Sequence, residues 1–508
     1  RFYAAFACLC VVNLICALDA TSISVALPTM AKALHGTGVE AFWAGTSFLL
    51  AATVFQPTFA TLSNEFGRKP MLLIALSFFT IGSVIGGVAR NFTDLLVGRS
   101  IQGVGGGGIA AMTNILVCDL VPLKDRAKWL GLITMQWSIG SVSGPVIGGT
   151  LAEKASWRWI FWLNLPFCGV AFIMIPLFLK LQPKPGRFFD KMKQIDWVGS
   201  FLFVASTTSL LIPITWGGTL YPWISPHTLV PLLLSLLGFL LFTLWSRYLS
   251  PRPILPSTLF LTPTSLANYV SIITHGLFLW SVLFYMPLYF SAAKRLSPIS
   301  SGIALFPWTF TIAPGAVVVG LLINRTSRYI WALNLGWATT TLGVGLMILF
   351  APDTPAKMWI PLAVVSGLGL GILYPAMSIC NQAAARAEDT AAAAALNPFF
   401  RNMGQMLGVA VGGSVVQNQL HARLANSATA VVVANAGTWS RDAEALVEVI
   451  RGMGMGGAEG VVRMELVGAY CGALRSLWVV IAVLAGVAGV GSAVCVRGYG
   501  LGRELETD

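Results

Sequence analysis

Charge is what this 508-residue chain has least of. Asp, Glu, Lys and Arg make up 10% of it, against about a quarter of a soluble globular chain. Hydrophobic residues make up 56%, and the mean hydropathy is +0.77. Even a large buried core would not need so little charge. A soluble domain is therefore excluded, and an all-α polytopic membrane protein is expected. Metal and disulfide chemistry are missing too. The four His are scattered. Cys8, Cys10, Cys16, Cys118, Cys168, Cys380 and Cys495 lie in or at the ends of apolar runs, and only Cys471 approaches a long polar stretch. No disulfide framework or metal-ligand spacing results, and no cofactor is expected. There is no G-x-x-x-x-G-K-[ST], which argues against ATP as an energy source. The net charge of +12 does not point to nucleic acid, because no basic patch with interleaved aromatics exists. The Lys and Arg sit in short loops instead.

Apolar runs of about 20 residues, the length that spans a bilayer, fall at 3–27, 41–62, 71–89, 95–117, 129–151, 158–180, 197–215, 227–247, 265–290, 301–323, 331–350, 358–380, 392–418 and 474–496. Fourteen spans put both ends on one side. The loops after the even-numbered spans hold Arg68, Lys69, Lys124, Arg126, Lys128, Lys184, Arg187, Lys191, Lys193, Arg252, Arg325, Arg328 and Arg386. The opposite short loops hold about half as many, so both termini are expected to be cytoplasmic. Residues 2–27 do not read as a cleavable signal peptide, and a segment ahead of Arg1 is expected. The basic loop 182–196 either lies along the anionic inner leaflet or is a solvated linker. The long connection 419–473 faces outward. Within it, 441–453 has the pattern of a surface helix, and GMGMGGAEG just after it reads as flexible.

The fifth span carries Gly140, Gly144, Gly148 and Gly149, with Pro145 among them. Residues four apart stack on one helix face. In water each Gly would cost roughly 1 kcal/mol relative to Ala. In a membrane small residues let a second backbone approach closely. The thirteenth span repeats the spacing as Gly404, Gly408, Gly412 and Gly413. The loop after the tenth span, GLLINRTSR (320–328), likewise matches ATLSNEFGR (60–68), with Asn324 on Asn64 and Arg328 on Arg68. Spans 1–6 and 9–14 are thus two related halves, with spans 7 and 8 inserted. The expected boundaries are 1–181, 182–262 and 263–508. Two six-helix halves around a midplane site are a transporter architecture.

Four motifs give the chain its resemblance to the major facilitator superfamily. They are LDATSISVALP (18–28), ATLSNEFGRK (60–69), LLVGRSIQG (95–103) and the G-x-x-x-G-P-x-x-G-G of 140–149. More narrowly, the chain resembles the fourteen-helix drug:proton antiporters of fungi and bacteria. The resemblance implies two six-helix bundles plus two inserted helices, and multidrug or toxin efflux in exchange for protons. It links Arg99 to proton coupling and the 60–69 loop to control of conformation. The loop departs from the family pattern: Ala60 replaces Gly, Asn64 replaces Asp and Glu65 replaces a basic residue, whereas Gly67, Arg68 and Lys69 are kept. Asn64 can cap a helix start but cannot pair as an anion. Asp119 is the expected carboxylate partner of Arg68, although a plain charge cluster would read the same.

Asp19 and Arg99 are the clear charges inside spans. Each costs roughly 2.5–3.5 kcal/mol at a helix centre, so each needs a partner or a wet cavity. From the span ends their depths differ by roughly 6 Å at 1.5 Å per residue, which long side chains bridge. Arg keeps its charge, whereas a buried Asp can gain a proton. A proton-responsive Asp19–Arg99 site, oriented by Gln102, is expected; a structural pair that never titrates would look the same in sequence. The twelfth span has no matching Arg in AVVSGLGLGI (363–372). His275 either serves a substrate or is hydrogen-bonded inside the bundle. Arg401 is expected near the cytoplasmic interface, with its long side chain snorkelling there. Trp137, Phe284, Tyr285, Tyr289 and Trp308 are candidate cavity walls, although aromatic residues in spans are commonly packing or interface anchors.

The expected function is export of apolar, drug-like or natural-product molecules in exchange for protons. The partners are then a small-molecule substrate, protons and the lipid bilayer, with the chain a monomer in the plasma membrane. The alternatives are a proton-coupled importer, a vacuolar transporter of amino acids or chelates, a non-transporting membrane sensor and a membrane enzyme. The last lacks paired carboxylates or a His cluster at membrane depth.

Overall fold

The computed structural model describes residues 2–501, apart from 36, 37, 182–184, 219, 220, 442 and 455. Within a bilayer the backbone must satisfy its own hydrogen bonds, and the described chain is helical almost throughout. The first set is α1 (Phe2–Ala33), α2 (Gly38–Phe66), α3 (Arg68–Val88), α4 (Phe92–Leu120), α5 (Leu123–Lys154), α6 (Trp159–Trp162) and α7 (Asn164–Phe178). A short α8 (Phe188–Lys193) leads into α9 (Trp197–Trp216) and α10 (Pro226–Leu244), which runs on into a π-helical turn. The last set is α11 (Pro263–Lys294), α12 (Pro298–Ile303), α13 (Phe306–Thr326), α14 (Ile330–Met347), α15 (Ala356–Ala384) and α16 (Thr390–Ala425). It continues with α17 (Ala430–Arg441), α18 (Ala443–Gly452) and α19 (Gly457–Cys495).

Every expected span falls on one of these rods, the sixth and tenth each built of two pieces. By length and hydropathy alone, ten described rods qualify as membrane-crossing. α2, α5, α14 and α16 are not among them. α5 and α16 are the two glycine-ladder helices, which turn small and polar residues toward other helices rather than Leu toward lipid. α10 shows the opposite, lipid-facing pattern. Leu233, Leu236, Leu237 and Leu240 are exposed, whereas Thr228 and Ser235 are buried.

Local signals set the helix ends. Asn91 caps α4 by accepting from the Asp94 amide at 2.8 Å, and Asp196 caps α9 through the Gly199 amide at 2.8 Å. α2 ends at Gly67 (φ 94°) and α13 at Ser327 (φ 51°). These are matching positions of the two repeated loops, and both have positive φ; Ser327 is a left-handed helical cap, whereas Gly67, with ψ 156°, takes a conformation open to glycine.

In the first set α1 packs on α5 and α7, and α4 on α2 and α3. In the last set α11 packs on α16 and α19, and α15 on α13 and α14. Across the two sets, α5 meets α13, while α16 meets α2 and α4. α9 lies against this seam, with Leu211 beside Val54 of α2 and Met406 of α16.

The stretch expected as a long outer loop is largely helix. α16 runs on to Ala425, α17 and α18 follow, and α19 starts at Gly457, inside the glycine-rich segment expected to be flexible. Leu446, Val447 and Ile450 put the apolar face of α18 into the core of the last set. That burial gives the connection a reason to fold. Met455 of that segment and Lys184 of the basic linker lie outside the described residues. In the rest of the linker, Phe188 of α8 packs on Phe66 of α2 with ring centroids 5.5 Å apart.

Candidate functional site: a buried ion pair, a glycine clamp and a central cavity

Asp19 of α1 and Arg99 of α4 meet with Oδ2 and Nη1 2.5 Å apart, their side chains 0% and 1% exposed. The other carboxylate oxygen accepts from Gln102 Nε2 and Asn164 Nδ2, each at 2.8 Å. Arg99 also donates from Nη1 to Gln102 Oε1 at 2.6 Å and from Nε to the Ala44 carbonyl at 3.1 Å. Its guanidinium lies 4.3 Å from the centre of the Phe48 ring. Ser83 accepts from Gln102 at 2.9 Å. A buried ion pair is tolerable when its remaining donors and acceptors are met, and here α1, α2, α3, α4 and α7 all contribute. Sequence reasoning reached Asp19, Arg99 and Gln102 but not Asn164, Ser83 or Phe48. Asn164, a lone polar residue in the apolar run WIFWLNLPF, was the available signal.

The glycine face of α5 presses on α1 around Asp19. A Cβ on Gly140 would lie 3.0 Å from the Leu18 amide nitrogen. On Gly144 it would overlap the Thr21 hydroxyl, and on Gly148 the Ser22 carbonyl oxygen. Thr21 Oγ1 seals the contact by donating to the Gly140 carbonyl at 3.2 Å. Gly149 is buried in the same helix. Pro145 turns the other way, 3.5 Å from where a Cβ on Gly302 of α12 would stand. The second ladder does the same on α11. Gly404 and Gly408 abut the carbonyls of Ile273 and Leu277, and Ser281 donates to the Gly408 carbonyl at 3.1 Å.

At the end of the bundle carrying the basic loops, Arg68 Nε lies 2.9 Å from Asp119 Oδ2. Arg68 Nη1 donates to Ser63 Oγ at 2.6 Å and Asn64 Oδ1 at 2.5 Å. Asn64 therefore sits in the last turn of α2 and does not cap α3. The cap position is Gly67, which has no side chain to offer. Lys69 donates to the Pro176 carbonyl at 3.0 Å. The repeated loop is not a copy. Arg328 is exposed and takes no part in such a cluster; Asn324 instead crosses to the first set, donating to Asp125 and to the Lys124 carbonyl. Arg126 reaches across as well, donating to Gln382 Oε1 at 3.1 Å. These contacts close the two sets against each other at this end.

Between the sets lies a cavity walled by Thr134, Trp137, Ser138 and Ser141 of α5 and by residues of α11, α13 and α15, with Arg401 of α16. Its free volume of about 30 Å³ holds one or two waters. A drug-sized ligand needs roughly 300 Å³ or more, so seating one here requires the walls to move apart. Trp137, His275 and Trp308 line it. Tyr285 and Tyr289 do not. Tyr285 donates to the Val409 carbonyl and Tyr289 to the Ala351 carbonyl, each at 2.8 Å, inside the core of the last set. Helix geometry accounts for this: ten residues beyond His275 is about 80° off its face, and fourteen is roughly 21 Å further along the axis. Phe284 is likewise not among the walls.

The larger correction concerns Arg401. α16 starts at Thr390, so Arg401 lies three turns inside the helix rather than at its mouth. Its guanidinium carbon is 4.7 Å from the Tyr374 ring centre and 5.7 Å from that of Trp137. Cation–π contacts contribute about 0.5–2 kcal/mol, less than the roughly 2.5–3.5 kcal/mol cost of an Arg within the membrane. Its Nε is buried without a hydrogen-bond partner. His275 Nε2 lies 3.2 Å from the Leu370 carbonyl, and its Nδ1 is also unpartnered.

A family model described as "Major Facilitator Superfamily" matches residues 9–409. The "MFS transporter L2" of Phoma sp. (strain ATCC 20986 / MF5453) is 49% identical over 508 residues, covering 100% of this chain and 84% of that protein. The "MFS-type efflux pump LUC4" of Fusarium sp is 34% identical, covering 100% of this chain and 90% of that one. Among solved structures, a bacterial homologue of the human lysosomal transporter Spinster superposes with a TM-score of 0.58 at 16% identity, covering 96% of each chain. The human organic anion transporter MFSD10 superposes with a TM-score of 0.56 at 13% identity, covering 96% of this chain and 99% of that one. At such identities these two speak for the fold alone.

Proposed function

The chain belongs to the Major Facilitator Superfamily, and from that premise we propose that this integral membrane transporter exports its small-molecule substrate in exchange for protons. The observation that carries the proposal is the Asp19 carboxylate, fully buried between Arg99, Gln102 and Asn164. Arg99 keeps its charge at any accessible pH, so a proton arriving at this site goes to Asp19. The neutral carboxyl no longer compensates Arg99, and the contact between α1 and α4 loosens. α1 is clamped to α5 through Gly140, Gly144 and Gly148. A shift of α1 therefore carries α5 with it, together with Trp137, Ser138 and Ser141 in the cavity wall. Each step in this chain is a packed contact, the physical requirement for coupling between sites.

Alternating access then rocks one helix set against the other. One proton entering across 100 mV supplies about 2.3 kcal/mol, plus any pH gradient. The relatives named efflux pumps support the outward direction. The basic loops support cytoplasmic termini and cytoplasmic closure through Arg68, Arg126 and Asn324, in the plasma membrane, with a single chain as the working unit.

The test is transport by the full chain in proteoliposomes. An imposed proton gradient is expected to drive accumulation of at least one of a panel of radiolabelled acidic, neutral and basic aromatic compounds, and Asp19→Asn is expected to abolish that drive. Accumulation indifferent to the gradient, or undiminished in Asp19→Asn, would falsify the proposal.

A further inference from the structure

The central cavity carries a positive charge that nothing in the protein answers. Arg401 is its one charged wall residue, and among the described residues no Asp or Glu lines it. Arg401 Nε is buried without a partner, and its guanidinium is flanked only by the Tyr374 and Trp137 rings. Asp19, the buried carboxylate of the first set, is committed to Arg99, Gln102 and Asn164. It is not among the cavity walls.

Two further unmet groups face the same space. Trp308 is 1% exposed, and its indole Nε1 has no acceptor. His275 is 3% exposed; its Nε2 sits against the Leu370 carbonyl, which can only accept, so Nε2 carries the hydrogen and Nδ1 is left as a bare acceptor. An indole N–H, a guanidinium N–H and an imidazole lone pair thus belong to walls of one chamber, whose other lining is aromatic, aliphatic and, at Thr134, Ser138, Ser141 and Thr309, hydroxylic. Buried polar groups of this kind are ordinarily satisfied. A planar guanidinium is the side chain best shaped to take two oxygens of one acidic group.

We infer that the exported substrate is an acidic aromatic molecule: an ionised carboxylate or enolate seated on Arg401, a flat ring against the aromatic wall of the cavity, and a hydroxyl hydrogen accepted by His275. A neutral analogue leaves the guanidinium unanswered, and a cationic one meets it with like charge. Discrimination by charge is therefore built into the site. This assignment rests on the transporter reading of the cavity. It does not depend on proton coupling.

Binding without any gradient tests it. Purified full-length protein in nanodiscs is titrated with 2-naphthoate, 2-naphthamide and 2-naphthylmethylamine, with tryptophan fluorescence or scintillation proximity as the readout. The naphthoate is expected to bind at least tenfold more tightly than the amide, and the amine more weakly than both. In Arg401→Gln the carboxylate and amide are expected to converge, while Arg401→Lys retains part of the preference. Equal thermal stability of wild type and variants in the same nanodiscs reports that the protein is still folded. A naphthoate that binds no better than the amide in wild type, including no binding of either, overturns the assignment. So does a preference that survives Arg401→Gln. Because no gradient is applied, loss of proton coupling in other assays leaves this result standing.

Discussion

Gly148 and Gly144 stand one turn apart on α5, yet a methyl group added to each meets a different kind of obstacle. At Gly148 it meets the Ser22 carbonyl, which is backbone and cannot step aside. At Gly144 it meets chiefly the Thr21 hydroxyl, which rotates about χ1. Overpacking a tight contact costs on the order of 1–3 kcal/mol. Gly148→Ala is expected at the upper end of that range and Gly144→Ala nearer the lower. Thermal denaturation of both variants in one detergent checks the ranking; a Gly144→Ala protein that melts below Gly148→Ala contradicts it. Gly144→Val adds two more carbons to a contact already closed by Thr21 and the Leu18 carbonyl, and is expected to yield less folded protein than either.

At the scale of single residues, what the sequence disclosed followed the cost of charge. Asp19 and Arg99 stand out because a charge inside a span must be accounted for, and their pairing follows from depth alone. Asn164 and Ser83 are cheap enough in lipid to pass unnoticed. Arg401 was misplaced for a different reason. The expected span at 392–418 and α16 at Thr390 begin within two residues of each other, so the boundary was legible. That the cavity wall reaches as far as Arg401, three turns in, was not.

Among the elements, α4, α5 and α15 meet at the end carrying the basic loops. Gln382 of α15 accepts from Arg126 of α5 at 3.1 Å, and the Cys118 sulfur of α4 lies 3.3 Å from the same amide oxygen. Cys118 is buried behind this contact. Gln382→Ala removes the only acceptor the far set offers Arg126 among the described residues, so that end is expected to open more often. Labelling of Cys118 by N-ethylmaleimide, followed by peptide mass spectrometry, should then rise several-fold over wild type. Unchanged labelling would mean that Asn324 and its partner Asp125 hold the closure without Gln382. The two repeated loops explain why sequence matching overreached here. Asn64 and Asn324 align, as do Arg68 and Arg328, but only Arg68 turns back on the helix before it. In the second loop the asparagine does the bridging and the arginine is left in solvent. A repeat in sequence preserved the helix end and the positive φ at 67 and 327, and not the ion pairs.

For the molecule as a whole, the fold was legible because lipid enforces it: spans must be helical and apolar, and the glycine ladders named the helices that touch closely. In the connection 419–473 the helix expected at 441–453 is α18 (Ala443–Gly452), whereas α17 and the start of α19 at Gly457 were not legible, because their sequences carry no comparable amphipathic pattern. The account's central claim joins the two ends of that architecture, a proton site among α1, α4 and α7 and a cavity walled in part by α5. It is tested most directly by comparing two modes of transport in Asp19→Asn, using whichever compound the wild type accumulates. Substrate counterflow needs the cavity and alternating access but no net proton movement, whereas gradient-driven accumulation needs all three. The expected result is counterflow within a few-fold of wild type with gradient-driven accumulation lost. Accumulation that survives with its pH dependence intact would contradict the account.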